Sequence, residues 1–232
     1  MGALFAPCCA VCKEPLVFPT AGAVCEPCWL TIRPLTEPLC RTCGDALATW
    51  RAGDIERCVR CARQQRVISV GRAVGAYEGT LREIVHALKY DGRRSVARPL
   101  ARLMTNAGTA VLQGADIVVP VPLHIWRLYR RGFNQAAEIA RWLDLPCVNA
   151  LRRRRATVTQ TDLPEAERHR NVGNAFAVRR RARSCLHDTV IVLVDDVSTT
   201  GATVDACASV LIDAGAREVR VLTAARAVSR LP

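Results

Sequence analysis

No stretch of this chain holds the run of about 18 consecutive apolar residues that a membrane-spanning helix needs, although half of its 232 residues are hydrophobic. The N-terminus, Met-Gly-Ala-Leu-Phe-Ala-Pro-Cys-Cys, has neither a basic leader nor a long apolar core, so no secretory signal is expected and the protein is read as cytoplasmic. Aromatic residues amount to only 5%, few for a surface that stacks nucleic-acid bases. Lysine is nearly missing: Lys13 and Lys89 stand against 31 arginines, an imbalance better explained by a GC-rich genome than by function. The net charge of +12 is uneven. Residues 1–66 carry +2 and the remainder +10, so the larger part is the one that could attract a polyphosphate or a nucleic acid.

Cysteine, by contrast, is abundant. Nine of the 12 lie in the first 61 residues, and eight of those form Cys-x-x-Cys pairs: Cys9/Cys12, Cys25/Cys28, Cys40/Cys43 and Cys58/Cys61. With no sign of export, a disulfide framework is not expected. Two thiolates at this spacing hold one side of a tetrahedral zinc, and a second pair closes the site. The gaps of 12 and 14 residues between pairs suit two consecutive zinc ribbons, Cys9/Cys12 with Cys25/Cys28 and Cys40/Cys43 with Cys58/Cys61. Cys8 competes with Cys9 for the first knuckle, and an interleaved pairing or a single occupied site is also compatible with the spacing. Metal would supply folding energy to a segment too short to build its own core. Scaffolding or protein docking suits this module better than DNA clamping.

Residues 190–203 read Val-Ile-Val-Leu-Val-Asp-Asp-Val-Ser-Thr-Thr-Gly-Ala-Thr. Five apolar residues predict a buried parallel strand. It runs into Asp195 and Asp196, which point to opposite sides of an extended chain, and then into a small-residue turn at Gly201. A helix is expected from Ala202. A strand end, acids and a turn before a helix N-terminus form the arrangement with which an open α/β sheet holds a phosphate. Elsewhere the pattern predicts a strand or hairpin over 68–77, weakened by Gly71 and Gly75, helices over 80–89, 98–112, 132–143 and 202–214, and strands over 116–120 and 219–224. Strands alternating with helices imply an α/β fold with a parallel sheet and a ligand site at the strand C-termini. The expected division is 1–66 for the zinc module and 67–232 for the α/β domain.

The stretch at 190–203 resembles the 5-phosphoribosyl 1-diphosphate (PRPP) motif of type I phosphoribosyltransferases. The resemblance implies an open parallel sheet with flanking helices and a flexible hood. It also implies Mg²⁺-PRPP as ligand, with Asp195 and Asp196 on the ribose hydroxyls and Ser198, Thr199, Thr200, Gly201, Ala202 and Thr203 around the 5′-phosphate. Three further blocks narrow it: Ala87-Leu88-Lys89-Tyr90; Pro120-Val121-Pro122-Leu123-His124 with Arg127 and Arg130-Arg131-Gly132-Phe133-Asn134-Gln135-Ala136; and Gln160, Leu163, Arg168 and Asn171 leading into Ala175-Phe176. With the zinc ribbons ahead of them, the whole chain is similar to the ComF family, whose members are implicated in natural transformation and the handling of imported single-stranded DNA.

In such a sheet the turn after the second strand faces the phosphate loop, and the resemblance to phosphoribosyltransferases implies that it holds pyrophosphate. Here that is Val119–Leu123, including Val121, with Arg127, Arg130 and Arg131 as counter-charges. Residues 152–174, with Gln160, Arg168 and Asn171, match the hood. The catalytic group is not visible: Thr199 stands where purine-type enzymes carry an aspartate, and the hood has no lysine. Two readings follow. One is a PRPP-dependent transferase, in which positioning and charge stabilisation do the work. The other is a non-catalytic protein that binds ribose phosphate or single-stranded DNA and docks a helicase or recombination mediator through its zinc module. Trp126, Tyr129 and Phe133 lie near the basic cluster, with burial under the sheet as the alternative. A homodimer is common in this fold.

Overall fold

The computed structural model describes residues 7–18, 22–47, 56–154 and 175–228. Its centre is a four-stranded parallel sheet made of β1 (Gly71–Ala76), β2 (Ile117–Pro120), β5 (Val190–Ser198) and β6 (Glu218–Arg226), in the order β1-β6-β5-β2. A separate two-stranded antiparallel ribbon pairs β3 (Leu151–Arg153) with β4 (Phe176–Val178). β5 sits between two neighbours, and its first five residues are all buried, as an uninterrupted apolar run requires.

Alternation along the strands feeds two separate cores. Val118, Val192, Val194 and Leu222 pack with the apolar stripes of α3 (Gly79–Tyr90) and α4 (Ala97–Ala107) and with Ile139 and Ala140 of α7 (Gln135–Ala140). Ile117, Val119, Ile191, Leu193 and Val221 face the other way, against Val204, Cys207, Ala208 and Leu211 of α8 (Ala202–Ile212) and against the β3–β4 ribbon. The result is an α/β/α sandwich whose strand C-termini open onto one end. No helix among the described residues is long and apolar enough to cross a membrane.

The cysteine-rich segment lies along β1. Its two short helices, α1 (Glu26–Leu30) and α2 (Val59–Arg63), follow Cys25 and Cys58. Leu35 donates its amide to the Val74 carbonyl at 3.0 Å, and Pro34 bridges Gly75 antiparallel. Glycine is needed there because a Cβ at Gly75 would stand 2.6 Å from the Arg33 carbonyl oxygen. The weakness that Gly75 lends to the strand pattern is thus a close backbone approach.

Three expectations from the pattern need correction. The helix expected over 132–143 is shortened to α7, and a separate helix, α6 (Ile125–Arg131), precedes it. His124 caps α6, Gly132 ends it at φ 77°, and Asn134 starts α7 by accepting the Ala136 amide at 3.0 Å. Ala136, Ile139 and Ala140 form the buried stripe of α7, Leu143 is buried beyond its end, and the caps at Gly132 and Asn134 keep the helix from starting at 132. The helix expected over 98–112 breaks at Gly108 (φ −104°, ψ 15°) into α4 and α5 (Thr109–Leu112), and Leu222 leaves no room for a side chain at that break. Thirdly, β5 runs on through both aspartates to Ser198, since the β6 pairing continues to Ser198 opposite Arg226.

The Gly108 break yields a test. On helix propensity alone, Gly108→Ala would stabilise by about 1 kcal/mol. A Cβ there would lie 2.5 Å from Leu222 Cδ1 and 2.8 Å from the Met104 carbonyl oxygen, so we expect a lower thermal midpoint. A midpoint equal to or above that of wild type would show that this corner can repack.

Candidate functional site

The C-terminal ends of β2 and β5 open into a cleft of about 710 Å³. Its floor is the acid pair. Asp195 shares the parity of Ile191 and Leu193 and turns toward the α8 and β3–β4 side, where Arg153 stands. Asp196 shares the parity of Val192 and Val194 and turns toward α3. There its Oδ1 meets Lys89 Nζ at 2.9 Å, with the Asp196 side chain 5% exposed. Its Oδ2 is buried and finds no donor among the described residues, which leaves one acceptor aimed at whatever fills the cleft. Asp195 Oδ1 accepts the Asp196 amide at 2.8 Å.

The charges are closely balanced. Burial pushes the Asp195 carboxyl up to about 8 and repulsion from Asp196 adds to this, while Lys89 and Arg153 pull the other way. Burial disfavours the Lys89 ammonium, but Asp196 and then Asp195 more than compensate, so its pKa is raised. Near neutral pH the floor therefore holds Asp195 as a carboxyl that keeps its proton and Lys89 as a buried cation.

The far wall is the phosphate-type loop. Ser198, Thr199, Gly201 and Thr203 line the cleft; Thr200 and Ala202 do not. Thr200 Oγ1 accepts the Ala202 amide at 3.4 Å and Ala202 is buried, so these two build the turn rather than its surface. Gly201 sits at φ 83°, where a β-carbon is disfavoured, and α8 starts immediately after it.

The near wall is Val121, Pro122 and Leu123 with Arg127 and Arg131 of α6. Pro120 and Pro122 have no N–H, and the Val121 amide is already given to the Val194 carbonyl at 2.9 Å. This turn has little backbone left for an anion, so the positive charge must come from arginine side chains. Asn134 Nδ2 holds the turn in place through the Val121 carbonyl at 3.0 Å. Arg130 faces an adjoining cleft of about 420 Å³, shared with Arg127 and Arg131. Gln160, Arg168 and Asn171, expected in the hood, lie outside the described residues.

Sequence reasoning gave no site role to Tyr77, Lys89, Tyr90 or Gln135, all of which line the cleft. Lys89 had a signal, being the only lysine after Lys13. Arg153, also on the cleft wall, belongs to the run Arg152–Arg155, which the sequence alone reads as a solvated edge, a phosphate clamp or contacts to a nucleic-acid backbone. Two more residues stand behind the loop. Arg60 and Arg66, from the cysteine-rich segment, reach the carbonyls of Thr199, Thr200 and Gly201.

The structure gathers the cysteines into two tetrads, Cys9/Cys12/Cys25/Cys28 and Cys40/Cys43/Cys58/Cys61, with sulfurs in each within 4.8 Å of one another. A tetrahedral zinc with bonds of about 2.3 Å spaces its sulfurs about 3.8 Å apart. The nearest pairs fit that spacing: Cys12–Cys25 at 3.7 Å, Cys9–Cys28 at 3.9 Å and Cys43–Cys58 at 3.6 Å. Cys8 is exposed and outside the tetrad. In the second tetrad, Arg226 from β6 donates to Cys43 Sγ at 3.2 Å and to Asp45 at 3.2 Å.

Comparison with known proteins agrees with both halves of this geometry. Residues 1–62 match the family described as double zinc ribbon domain, and residues 122–231 match the phosphoribosyl transferase domain. The tetrads are accordingly structural zinc sites. Competence protein F of Haemophilus influenzae is 31% identical over 94% of this chain and 96% of its own length. DNA utilization protein YhgH of Salmonella typhimurium is 36% identical over 92% of this chain and 94% of its own. Competence protein ComFC of Bacillus subtilis is 26% identical over 83% and 79%. With similarity at this level over nearly its whole length, the chain belongs to the ComF family.

Proposed function

We propose that the cleft binds PRPP, or a related ribose 5-phosphate, as its Mg²⁺ complex, and that the protein acts in the handling of imported single-stranded DNA. The acid pair carries this reading. Two carboxylates on opposite faces of one strand, with Asp196 Oδ2 left without a donor among the described residues, suit the two hydroxyls of a ribose. The loop at 198–203 suits the 5′-phosphate, being a turn that leads into a helix N-terminus. Arg127 and Arg131 suit the pyrophosphate, and Mg²⁺ would neutralise part of its charge. Lys89 balances the acids while the cleft is empty. Arg153, close to Asp195, does the same from the other face. The competence and DNA-utilization names of the relatives support the cellular setting.

A second reading has an observation of its own. Trp126 and Tyr129 are 68% and 83% exposed, whereas Phe133 is 8% exposed. The helix α6 buries none of its residues and interleaves these aromatics with Arg127, Arg130 and Arg131. Exposed rings beside arginines suit single-stranded nucleic acid. Val17, Phe18 and Leu30 are also exposed on the first ribbon, apolar surface of the kind through which a helicase or recombination mediator could dock.

Calorimetric titration of PRPP with Mg²⁺ into the zinc-loaded protein tests the first reading. Binding is expected, and Asp195→Asn should weaken it by about tenfold or more. A folded wild-type protein that gives no heat would sink the reading.

The pH dependence has a definite sign. A ligand that needs both carboxylates ionised must expel the proton that Asp195 holds up to about pH 8. Affinity should therefore be weaker at pH of about 6 and rise to a plateau above about 8, with about one proton released per ligand near neutrality. Titrations in buffers of different ionisation enthalpy measure that release, and none should be seen if Asp195 is already ionised.

For the second reading, fluorescence anisotropy with a labelled oligothymidylate is the assay. Trp126→Ala and Tyr129→Ala should each weaken binding by about 1–3 kcal/mol with the salt slope unchanged. Arg130→Ala should lower the slope by about 0.7. Unaltered affinity in all three would remove α6 from any nucleic-acid surface.

A further inference from the structure

Behind the phosphate-type loop, on the side away from the cleft, stands a buried arginine that belongs to the zinc-ribbon segment. Arg66 has a side chain only 3% exposed. Its Nε meets Asp205 Oδ2, in the first turn of α8, at 2.6 Å. Its Nη1 and Nη2 reach the carbonyls of Thr200 and Gly201 at 3.5 and 3.4 Å. Arg60, which lies between the ligands Cys58 and Cys61, donates to the Thr199 carbonyl at 3.3 Å. Three consecutive loop carbonyls are thus held by two guanidinium groups, one inside the second zinc knuckle and one five residues past it.

Orientation follows from the peptide bond. In a trans peptide the C=O and the following N–H point in opposite directions. Arginines that hold the carbonyls of Thr199 and Thr200 therefore turn the amides of Thr200 and Gly201 the other way; the Gly201 carbonyl also accepts the Asp205 amide at 2.9 Å, and the Ala202 amide goes to Thr200 Oγ1. Phosphate loops work by presenting amides in this manner. The contact is also tight: a Cβ at Gly201 would lie 2.0 Å from Arg66 Nη2, so this glycine makes room for the guanidinium as well as adopting a positive φ. The second tetrad is anchored at another point too, since Arg226 donates to Cys43 Sγ and a Cβ at Gly44 would stand 2.5 Å from the Gly71 carbonyl oxygen.

We propose that Arg66, assisted by Arg60, is the positioning residue of the phosphate loop, and that through it the second zinc centre controls whether the loop can hold a phosphate. This inference rests on the ribose-phosphate reading above and adds a regulator to that site: loss of zinc from Cys40/Cys43/Cys58/Cys61 frees the loop, and loss from the first tetrad does not.

The test combines PRPP titration with hydrogen–deuterium exchange of peptides covering residues 198–205, on full-length protein whose zinc content is measured. Arg66→Ala should retain both zinc ions, weaken PRPP binding by about tenfold and speed amide exchange in the loop. Arg66→Lys, which keeps the partner of Asp205 but loses the fork that spans two carbonyls, should fall between them. Cys58→Ser, with one zinc lost, should reproduce the loop exchange of Arg66→Ala, while Cys12→Ser, also with one zinc lost, should leave the loop as in wild type. Wild-type exchange in Arg66→Ala would overturn the proposal. Equal loop exchange in Cys58→Ser and Cys12→Ser would overturn it too, by reducing both to general destabilisation. If wild type does not bind PRPP at all, the ribose-phosphate reading fails, and the exchange comparison alone decides whether the zinc centre holds the loop.

Discussion

A central strand covered on both faces has no solvent side on which to place a carboxylate, yet β5 ends in two. Everything around the cleft answers that constraint. Alternation sends Asp195 and Asp196 into different layers of the sandwich, so each meets its own counter-charge: Arg153 from the β3–β4 ribbon for one, Lys89 from the end of α3 for the other. A buried carboxylate left unpaired is costly; Lys89 offsets that cost for Asp196, whereas burial still pushes the Asp195 carboxyl up to about 8. What remains at the open end of the sheet is an acid pair with one buried ammonium against it.

The pattern of residues made much of this architecture legible. Uninterrupted apolar residues at 190–194 and the short apolar run at 117–120 specify strands buried on both sides, Val219, Val221 and Leu222 mark the strand beside them, and the stripes of α3 and α4 specify helices that cover them. Cysteine spacing was equally direct, because two thiolates three positions apart constrain geometry strongly. The pattern failed around residues 125–135. There the caps at His124, Gly132 and Asn134 act one residue at a time and carry no periodicity. It failed again at Gly108, where Leu222, 114 positions away along the chain, leaves no room for a side chain.

The candidate site divides along the same line. The acids and the loop from Ser198 to Thr203 are contiguous in sequence, so their chemistry can be read from a single stretch. Lys89, Arg153, Arg60 and Arg66 come to that stretch from three different segments. Arg66 and Asp205 are separated by most of the chain, and no local rule links them. Tertiary structure also changed the meaning of Thr200 and Ala202, which shape the turn instead of lining the cleft.

The way the cysteine-rich segment lies along β1 has a consequence for how copies of this chain can meet. Pro34 and Leu35 occupy the open hydrogen-bonding side of β1. At the opposite border, residues 146–148 bond to Val118 of β2, and Pro120 has no N–H to offer. Both borders of the sheet are thus taken by the chain's own backbone, in the manner by which natural β-proteins guard against edge-to-edge aggregation. Extension of this sheet by a second copy is thereby blocked at Val74 and Gly75 and at Val118, where those bonds already sit.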